Sequence, residues 1–226
     1  MTRTHSPPAA SPASYHAVHL TEDSARAVVW QVIAEYLSVY VPPDAQVLEL
    51  GAGYCHWING VRAARKVALD SWQELPKHAA DDVQPIQHDL SQGLTVLGEQ
   101  QFDVVMASNV LEHFEPDAAS SLVAEVFAHL REKGRFIVIQ PNFRYAYRDY
   151  FDDYTHRSIF TDVSLPNLMR SHGFRIEKTQ ARFMPYSLRG SRLPIRPWLI
   201  RAYLRSPIRP FAGQMLVIGQ KPGAAR

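Results

Sequence analysis

The sequence predicts an α/β protein built on a doubly wound, seven-stranded and mostly parallel sheet. Short apolar runs of strand length alternate with segments of helix length along most of the 226 residues. This alternation is typical of repeated βαβ units with right-handed crossovers. It is interrupted twice, by an aromatic and charged segment at 143–161 and by an Arg- and Pro-rich insertion at 187–213, before the last strand. We expect both interruptions to lie on the substrate side of the sheet.

The individual elements follow from hydrophobic periodicity and from turn residues. Apolar residues recur at helical spacing in Thr21–Val39, which predicts the first helix. A second helix is expected at Asp117–Arg131, ended by Gly134, and a third at Ser164–His172, capped by Gly173. The seven strands are expected at 46–53 (running into a glycine turn), 66–70, 85–90, 102–109, 135–142, 174–183 and 214–221.

Composition excludes several classes of protein. With 46% hydrophobic and 20% charged residues, the chain is ordinary for a globular protein, and no apolar run reaches the 18 residues that suggest a membrane span. A lone cysteine, Cys55, cannot form an internal disulfide and is consistent with a reducing, cytoplasmic location. Residues 1–14 lack the apolar core of a secretory signal, so we expect a disordered leader followed by one domain at 15–226.

Charge is distributed unevenly along the chain. Residues 1–174 carry a net charge of −8 and residues 175–226 carry +10, including six arginines between 189 and 213. Three interpretations remain open: a solvated basic face paired with the acidic part of the chain, contact with phosphate or an anionic membrane surface, and, ranked last, contact with nucleic acid. In the second interpretation, Arg201 and Arg205 share one helical face and Trp198, Leu199 and Tyr203 form the other.

Acidic residues stand at the ends of three successive predicted strands. Glu49 precedes Gly51 and Gly53 at the first, Asp70 ends the second and Asp89 ends the third. Ligands of open α/β sheets bind at the carboxyl ends of the strands, and glycines let the backbone approach them closely. Packing alone explains such an arrangement poorly. The pattern therefore predicts a site in which one acid accepts hydrogen bonds from ribose hydroxyls and another lies near a purine edge.

These segments resemble the motifs of class I S-adenosylmethionine (SAM)-dependent methyltransferases, over residues 45–142 and more weakly to 221. VLELGAG, KVALD, QHDL, FDVVMASNVLEHF and LREKGRFIVIQPN are similar to the first to fifth motifs of that family, in order. The resemblance implies a Rossmann-like fold and SAM as the cofactor. A nicotinamide dehydrogenase is disfavoured because residues 51–56, GAGYCH, lack the full G-x-G-x-x-G pattern.

The resemblance also implies the cofactor contacts. By its motifs, the glycine loop would contact the methionine part of SAM, Glu49 would organise that loop and Asp70 would bind the ribose. The implied set is Glu49, Gly51, Ala52, Gly53, Asp70, Ser71, Trp72, Asp89, Leu90 and Asn109, with Ser71 or Trp72 flanking the adenine, Asp89 and Leu90 at its edge and Asn109 beneath the cofactor. The family often has a third glycine at the position of Cys55, for which we predict neither a metal nor a nucleophilic role.

The acceptor site is predicted in segment 143–161, which combines aromatic residues with acids and a histidine. His156 is the first candidate for a general base, since imidazole titrates near neutrality, and Asp153 or Asp152 is the second. The alternative is a surface segment that covers the sheet edge. His113 is expected to support packing or the cofactor loop rather than catalysis. No metal site is predicted.

The acceptor is predicted to be small or lipid-linked, with a hydroxyl of a saccharide or glycolipid as the first choice. A hydroxyl benefits from a general base, and the two interruptions are loosely similar to methyltransferases of bacterial glycan and glycolipid assembly. A basic insertion that binds anionic lipid would place the protein peripherally at the inner membrane face. Two alternatives stay open: C- or N-methylation of a metabolite such as a quinone precursor or an amine, and a SAM-binding regulatory module without turnover.

Overall fold

The computed structural model of the chain describes residues 24–186 and 195–224. They form one seven-stranded sheet with helices on both faces, which confirms the predicted fold class. The strands are β1 (Gln46–Leu50), β2 (Arg65–Asp70), β3 (Val83–Gln87), β4 (Phe102–Ser108), β5 (Leu130–Pro141), β6 (Arg175–Pro185) and β7 (Ala212–Gln220). The helices are α1 (Ser24–Leu37), α2 (His56–Gly60), α3 (Leu75–His78), α4 (Pro116–His129), α5 (Phe143–Ala146), α6 (Ser164–Ser171) and α7 (Pro197–Arg205).

Some sequence-based expectations lie outside the described residues. These are the expected leader at 1–14, the start of the predicted first helix at Thr21, and residues 187–194 of the insertion. Within the described ranges, no helix combines the length and the apolar character needed to cross a bilayer.

The order of the strands in the sheet is β3-β2-β1-β4-β5-β7-β6. Strands β1 to β5 are parallel, and β7 lies antiparallel between β5 and β6. After β1 the chain builds β2 and β3 on one side and then returns to form β4 on the other. Such a reversal of strand order opens a crevice at the carboxyl ends of β1 and β4, where doubly wound sheets bind their ligands.

Alternate strand residues build two cores, one on each face of the sheet. On one face Val104 and Ile137 pack with α1, α2 and the buried Leu204 of α7. On the other, Val105 and Phe136 pack with the apolar faces of α4 and α6. Because both faces of the central strands are covered, these strands are largely apolar, as parallel strands usually are.

One predicted helix end is wrong. Helix α4 ends at His129, and Leu130 already pairs with β4. Lys133, with φ +62°, adopts the left-handed conformation that we assigned to a capping glycine. Gly134 is instead required by close packing, since a Cβ there would lie 2.9 Å from a backbone oxygen. Gly173, with φ +92°, follows α6 as predicted.

Helix α7 distributes its side chains differently from the prediction. Tyr203 packs against the core, whereas Trp198 is 65% exposed and shares the solvent face with Arg205. Arg201 pairs with Glu35 of α1 through two hydrogen bonds of 2.9 and 3.1 Å. Basic and aromatic residues are therefore mixed on the exposed face rather than separated, and part of the basic insertion is neutralised by the chain's own acids.

Candidate cofactor and acceptor site

A glycine loop follows β1 at the crevice. Gly51 and Gly53 have φ values of +64° and +49°, in the left-handed region that glycine favours. The backbone N–H groups of Gly51 and Ala52 both donate to the carbonyl oxygen of Leu69, at 2.8 and 3.2 Å. A Cβ on Gly51 would lie 2.7 Å from Cγ2 of Val110. The loop therefore rests against the end of β2 and the turn after β4, with no room for a side chain at Gly51.

Asp70, at the end of β2, connects that loop to the next one. Its Oδ2 accepts a hydrogen bond from the backbone N–H of Gly53 at 2.8 Å, and its Oδ1 accepts one from Trp72 at 2.9 Å. The carboxylate is 7% exposed. Two backbone N–H groups from different loops thus converge on one carboxylate, which fixes the spacing between the loops.

An aromatic cluster lines the loop after β2. Trp72 is nearly buried and stacks on His78, with ring centroids 4.9 Å apart and an interplanar angle of 13°. Tyr54 meets the edges of both rings, at 4.9 and 4.7 Å. Ser71 is half-buried beside this cluster. Flat rings at this position can pack against the face of a heterocyclic base.

Glu49 joins β1 to α2 inside the protein. It is 5% exposed, and its Oε2 accepts a hydrogen bond from the backbone N–H of Ile58 at 3.1 Å. Burial raises the pKa of Glu49 well above its ordinary value, the nearby charge of Asp70 adds to the rise, and the Ile58 hydrogen bond opposes it. A cation placed beside this carboxyl group would therefore lower its pKa and favour the ionised form.

Cys55 occupies the position at which the resembled family often has a third glycine. It adopts a left-handed φ of +55°, and its side chain is fully buried. Burial, followed by the charges of Glu49 and Asp70, raises the pKa of the thiol to about 12. Since the thiolate is the nucleophilic form, this cysteine serves packing.

The remaining predicted cofactor residues lie at the ends of β3 and β4. Asp89 is exposed and accepts a hydrogen bond from the backbone N–H of Ser91 at 2.8 Å, so it caps the short helical turn that begins with the half-buried Leu90. Asn109, with φ +51°, follows β4, and its Oδ1 accepts a hydrogen bond from Nε2 of Gln214 at 3.1 Å. Both positions border the crevice edge of the sheet.

Segment 143–161 docks on the turn that follows β4. The carbonyl oxygen of Glu112 accepts hydrogen bonds from the backbone N–H groups of Arg157 and Ser158, at 2.8 and 3.1 Å. This docking brings the ring of His156 to 5.0 Å from the ring of His113. Two sequence segments that are 43 positions apart therefore meet at one place.

His156 is the best-oriented candidate base. It is 8% exposed, and its Nδ1 lies 2.6 Å from the backbone carbonyl oxygen of Tyr150. A carbonyl oxygen only accepts, so Nδ1 carries the proton and Nε2 is the unprotonated nitrogen of the neutral ring. Nε2 lies 4.0 Å from Oδ2 of Asp153. The imidazole thus has a fixed tautomer and a neighbouring carboxylate.

Asp153 is held by Thr155. The Thr155 hydroxyl and backbone N–H donate to Oδ1 of Asp153 at 2.5 and 3.0 Å, and the same hydroxyl lies 2.9 Å from Nδ1 of His113. Burial acts to raise the pKa of Asp153, but the Thr155 hydrogen bonds and the nearby His113 and His156 outweigh burial and hold the pKa below its ordinary value. Asp152, the alternative to Asp153 as the second candidate base, is exposed to solvent next to this cluster.

Glu112 is a functional candidate that the sequence interpretation missed. It is fully buried, and neither carboxylate oxygen has a hydrogen-bond partner within the described part of the chain. Burial, with a contribution from Asp153, raises its pKa to about 8. The signal was present in the run VLEHF, where an acid stands among apolar residues directly after a strand.

Two further polar residues bear on this region, one near Asp153 and Glu112 and the other near the end of β5. Burial, followed by the charges of Asp153 and Glu112, raises the pKa of Tyr186 to about 12. Gln140, near the end of β5, is fully buried, and its side-chain amide has no hydrogen-bond partner among the described residues. Neither residue stood out from its sequence context.

Comparison with known proteins identifies the family. The profile of the methyltransferase domain family matches residues 24–179. A SAM-dependent methyltransferase from Archaeoglobus fulgidus is 18% identical, with a TM-score of 0.63 over 85% of this chain and 94% of that one. The N-methyltransferase NodS from Bradyrhizobium japonicum, solved with S-adenosyl-L-homocysteine, is 12% identical, with a TM-score of 0.60 over 91% of each chain. No curated protein sequence matches this chain.

A glycine loop after β1 and a buried acid after β2, at the switch point of this sheet, define a class I SAM-dependent methyltransferase. The chain belongs to the methyltransferase domain family, and the resemblance inferred from its sequence is confirmed. It is an enzyme whose cofactor is SAM.

Proposed function

We propose that this enzyme methylates a hydroxyl group of a small or lipid-linked acceptor, with a saccharide hydroxyl as the first choice. The observation that carries the proposal is the oriented pair of His156 and Asp153, with Nε2 and Oδ2 4.0 Å apart. Transfer to an amine or a carbanion needs little help from a base, whereas a hydroxyl gains from one. An imidazole whose tautomer is fixed beside a carboxylate suits proton removal.

The cofactor lies, in this proposal, on the glycine loop. Gly51, Ala52 and Gly53 contact the methionine part, Asp70 accepts hydrogen bonds from the ribose, and Glu49 holds the loop and attracts the amino group. Ser71 and Trp72 flank the adenine, Asp89 and Leu90 bind its edge, and Asn109 lies beneath the cofactor. SAM supplies an activated methyl group when it is bound, so the protein's main task is alignment and exclusion of water.

The acceptor site adjoins the cofactor loop through one turn. Val110 contacts the glycine loop at Gly51, and Glu112, two residues later, holds the segment that carries His156. The acceptor hydroxyl therefore lies between the loop and His156. As its oxygen bonds to the methyl carbon, the carbon–sulfur bond breaks with its electron pair going to sulfur, and the hydroxyl proton passes to Nε2 of His156. Asp153 stabilises the imidazolium that forms.

An activity assay with matched variants tests this base. We expect His156→Gln to lower kcat by a factor of about 10² to 10⁴, the usual contribution of a general base, and Asp153→Asn to lower it by a smaller factor. His172→Gln is the control, because one ring nitrogen of His172 is likewise hydrogen-bonded, to the Ser120 hydroxyl at 2.8 Å, but His172 lies outside the site. The readout is formation of S-adenosylhomocysteine with a cell-extract fraction. Equal rates for His156→Gln and His172→Gln would remove the proposed base.

A lipid-linked acceptor would bring the enzyme to a membrane surface. The support is an exposed set around α7: Trp198 is 65% exposed, Ile208 78% and Phe211 90%, and Arg196 and Arg205 are exposed with them. Interfacial aromatic residues next to arginines suit anionic headgroups. We propose peripheral contact at the inner membrane face.

Co-sedimentation with vesicles that contain anionic lipid tests this contact. We expect wild type to sediment with the vesicles and the variant Trp198→Ser/Arg205→Ser to remain in the supernatant. Lys77→Ser is the control, since Lys77 is an exposed basic residue on α3, outside the basic insertion. Equal sedimentation of all three proteins would exclude α7 as the contact.

A further inference from the structure

We infer that Glu112, His113 and His156 form a binding site for one divalent transition-metal cation. One potential ligand atom from each residue lies within 4.8 Å of those of the other two. Two imidazole nitrogens and one carboxylate oxygen are a donor set that Mn²⁺, Fe²⁺, Co²⁺ and Zn²⁺ accept, with coordination positions left for water or substrate. The sequence interpretation predicted no metal site.

The buried carboxylate of Glu112 is the first support. Its side chain is fully buried, and both carboxylate oxygens lack a hydrogen-bond partner among the described residues. Polar groups that are this deeply buried almost always have partners, and an exception needs an explanation. A bound cation would satisfy both oxygens and would stabilise the ionised carboxylate.

The orientation of the two imidazoles is the second support. Nδ1 of His156 donates to the Tyr150 carbonyl oxygen at 2.6 Å. The Thr155 hydroxyl donates its proton to Asp153, so at 2.9 Å it accepts one from Nδ1 of His113. In both rings Nε2 is therefore the unprotonated nitrogen. Ligand histidines in metal sites are usually held in this way, with the other ring nitrogen donating to an outer acceptor.

The geometry requires a small contraction. Bonds of about 2.0 to 2.2 Å from cation to N or O ligands bring ligand atoms closer together than the 4.8 Å limit found here. Rotation about the side-chain torsions of Glu112 and of the half-buried His113 can supply this change. Because Glu112 and His113 follow β4 and His156 lies in segment 143–161, the cation would join the two segments that form the acceptor site.

A cation at this site would also take part in the proposed methylation of a hydroxyl, and this step of the inference rests on the proposed function. An acceptor hydroxyl that coordinates a divalent cation has a lowered pKa and a fixed position. His156 then acts as a ligand, and Asp153, 4.0 Å from Nε2, accepts the proton. The same cluster thus supports proton removal by His156 without a cation and by Asp153 with one.

Metal titration of the full-length protein tests the inference. After removal of metals with EDTA, we expect wild type to bind one equivalent of Co²⁺, detected by calorimetry and by the visible absorption of the bound ion. Glu112→Gln, His113→Gln and His156→Gln should each weaken binding at least 100-fold, and Thr155→Val about 10-fold, as loss of an outer partner does. His172→Gln should bind Co²⁺ as wild type does. Near-ultraviolet circular dichroism and SAM affinity establish that each variant is folded.

Two results would overturn the site. One is that wild type binds none of Co²⁺, Mn²⁺ and Zn²⁺, and the other is that Glu112→Gln and His113→Gln bind them as tightly as wild type. Should one variant not fold, the other decides. An activity arm separates this inference from the proposed function. If the EDTA-treated enzyme methylates hydroxyls and the protein binds no metal, only the cation site is contradicted. If the protein binds a metal but methylates nitrogen or carbon, only the proposed function is contradicted.

Discussion

The hydroxyl of Thr155 donates a hydrogen bond to Oδ1 of Asp153 at 2.5 Å. The same hydroxyl accepts a hydrogen bond from His113, so one side chain connects an imidazole to a carboxylate through two hydrogen bonds. Thr155 does not itself face the reacting atoms in the proposed mechanism. It is a positioning residue, and its effect should appear in the pH dependence of the reaction.

We predict that Thr155→Val shifts the acid limb of the pH–rate profile to higher pH. The Thr155 hydrogen bonds help to hold the pKa of Asp153 below its ordinary value, so their loss raises that pKa. An enzyme that requires ionised Asp153 then loses activity at a higher pH as the solution is acidified. The measurement is kcat/KM against pH for wild type, Thr155→Val and Thr155→Ser. Thr155→Ser keeps the hydroxyl and should follow wild type. Identical profiles for all three proteins would contradict the positioning role of Thr155.

We predict that Gly51→Ala destabilises the protein by about 2 to 5 kcal/mol. The strain of a left-handed alanine, about 1 to 2 kcal/mol, adds to a clash with the stiff Val110 side chain, about 1 to 3 kcal/mol. The matched control is Gly51→Ala in a Val110→Ala background, which keeps the backbone strain and removes the clash with Cγ2 of Val110. Urea unfolding measures the cost of Gly51→Ala in both backgrounds. An equal cost in the two backgrounds would show that Val110 does not restrict the loop.

We predict that Asp70→Ala weakens SAM binding at least 100-fold. The carboxylate accepts hydrogen bonds from Gly53 and Trp72, and hydrogen bonds to charged groups contribute about 1.5 to 3 kcal/mol each. Asp89→Ala should weaken binding only about 10-fold, since this exposed carboxylate bonds locally to Ser91 and about 1.4 kcal/mol corresponds to a factor of ten. Isothermal titration calorimetry gives both constants, and a larger effect at Asp89 would contradict the proposed ribose site.

We predict that the stability gap between Glu112→Gln and wild type widens with pH in EDTA. The pKa of Glu112 is about 8 in the folded protein, against an ordinary value of 4.5. Between these two values the folded state binds more protons than the unfolded state, so the free energy of unfolding of wild type falls as pH rises. The contribution of protonated Glu112 to stability is fully present below about pH 4.5 and is lost as pH rises through 8. At pH 9 the variant should be more stable than wild type by an amount on the order of a few kcal/mol. A gap that is independent of pH would contradict burial of this carboxyl.

Much of the cofactor site could be predicted from the sequence because its features depend on residues that are close together in the chain. The strands that carry Glu49 and Asp70 are short apolar runs, and each acid stands at its strand end in the chain itself. The glycine loop likewise reveals its left-handed positions by residue type. Even so, Cys55 takes the same left-handed conformation as a glycine, which its own type does not reveal.

The acceptor half depends on contacts between distant segments. Residue type alone makes His156 a candidate base, but its fixed tautomer comes from the backbone carbonyl oxygen of Tyr150, and backbone acceptors have no signature in residue type. Glu112 was overlooked because its significance comes from complete burial, and a sequence of polar and apolar letters does not show which turn is covered. Likewise, the sequence predicts Gly134 as a helix cap because the pairing of Leu130 with β4, which ends the helix earlier, is a tertiary contact.

The bonding partner of the transferred methyl group tests the central claim most directly. The protein is incubated with SAM labelled with ¹³C in its methyl group and with the extract fraction that supports turnover, and the product is examined by carbon NMR. We predict a labelled methyl group bonded to oxygen, as in a methyl ether, and little of it when His156→Gln replaces wild type. A labelled methyl bonded to nitrogen or carbon, formed equally by wild type and His156→Gln, would contradict the proposal.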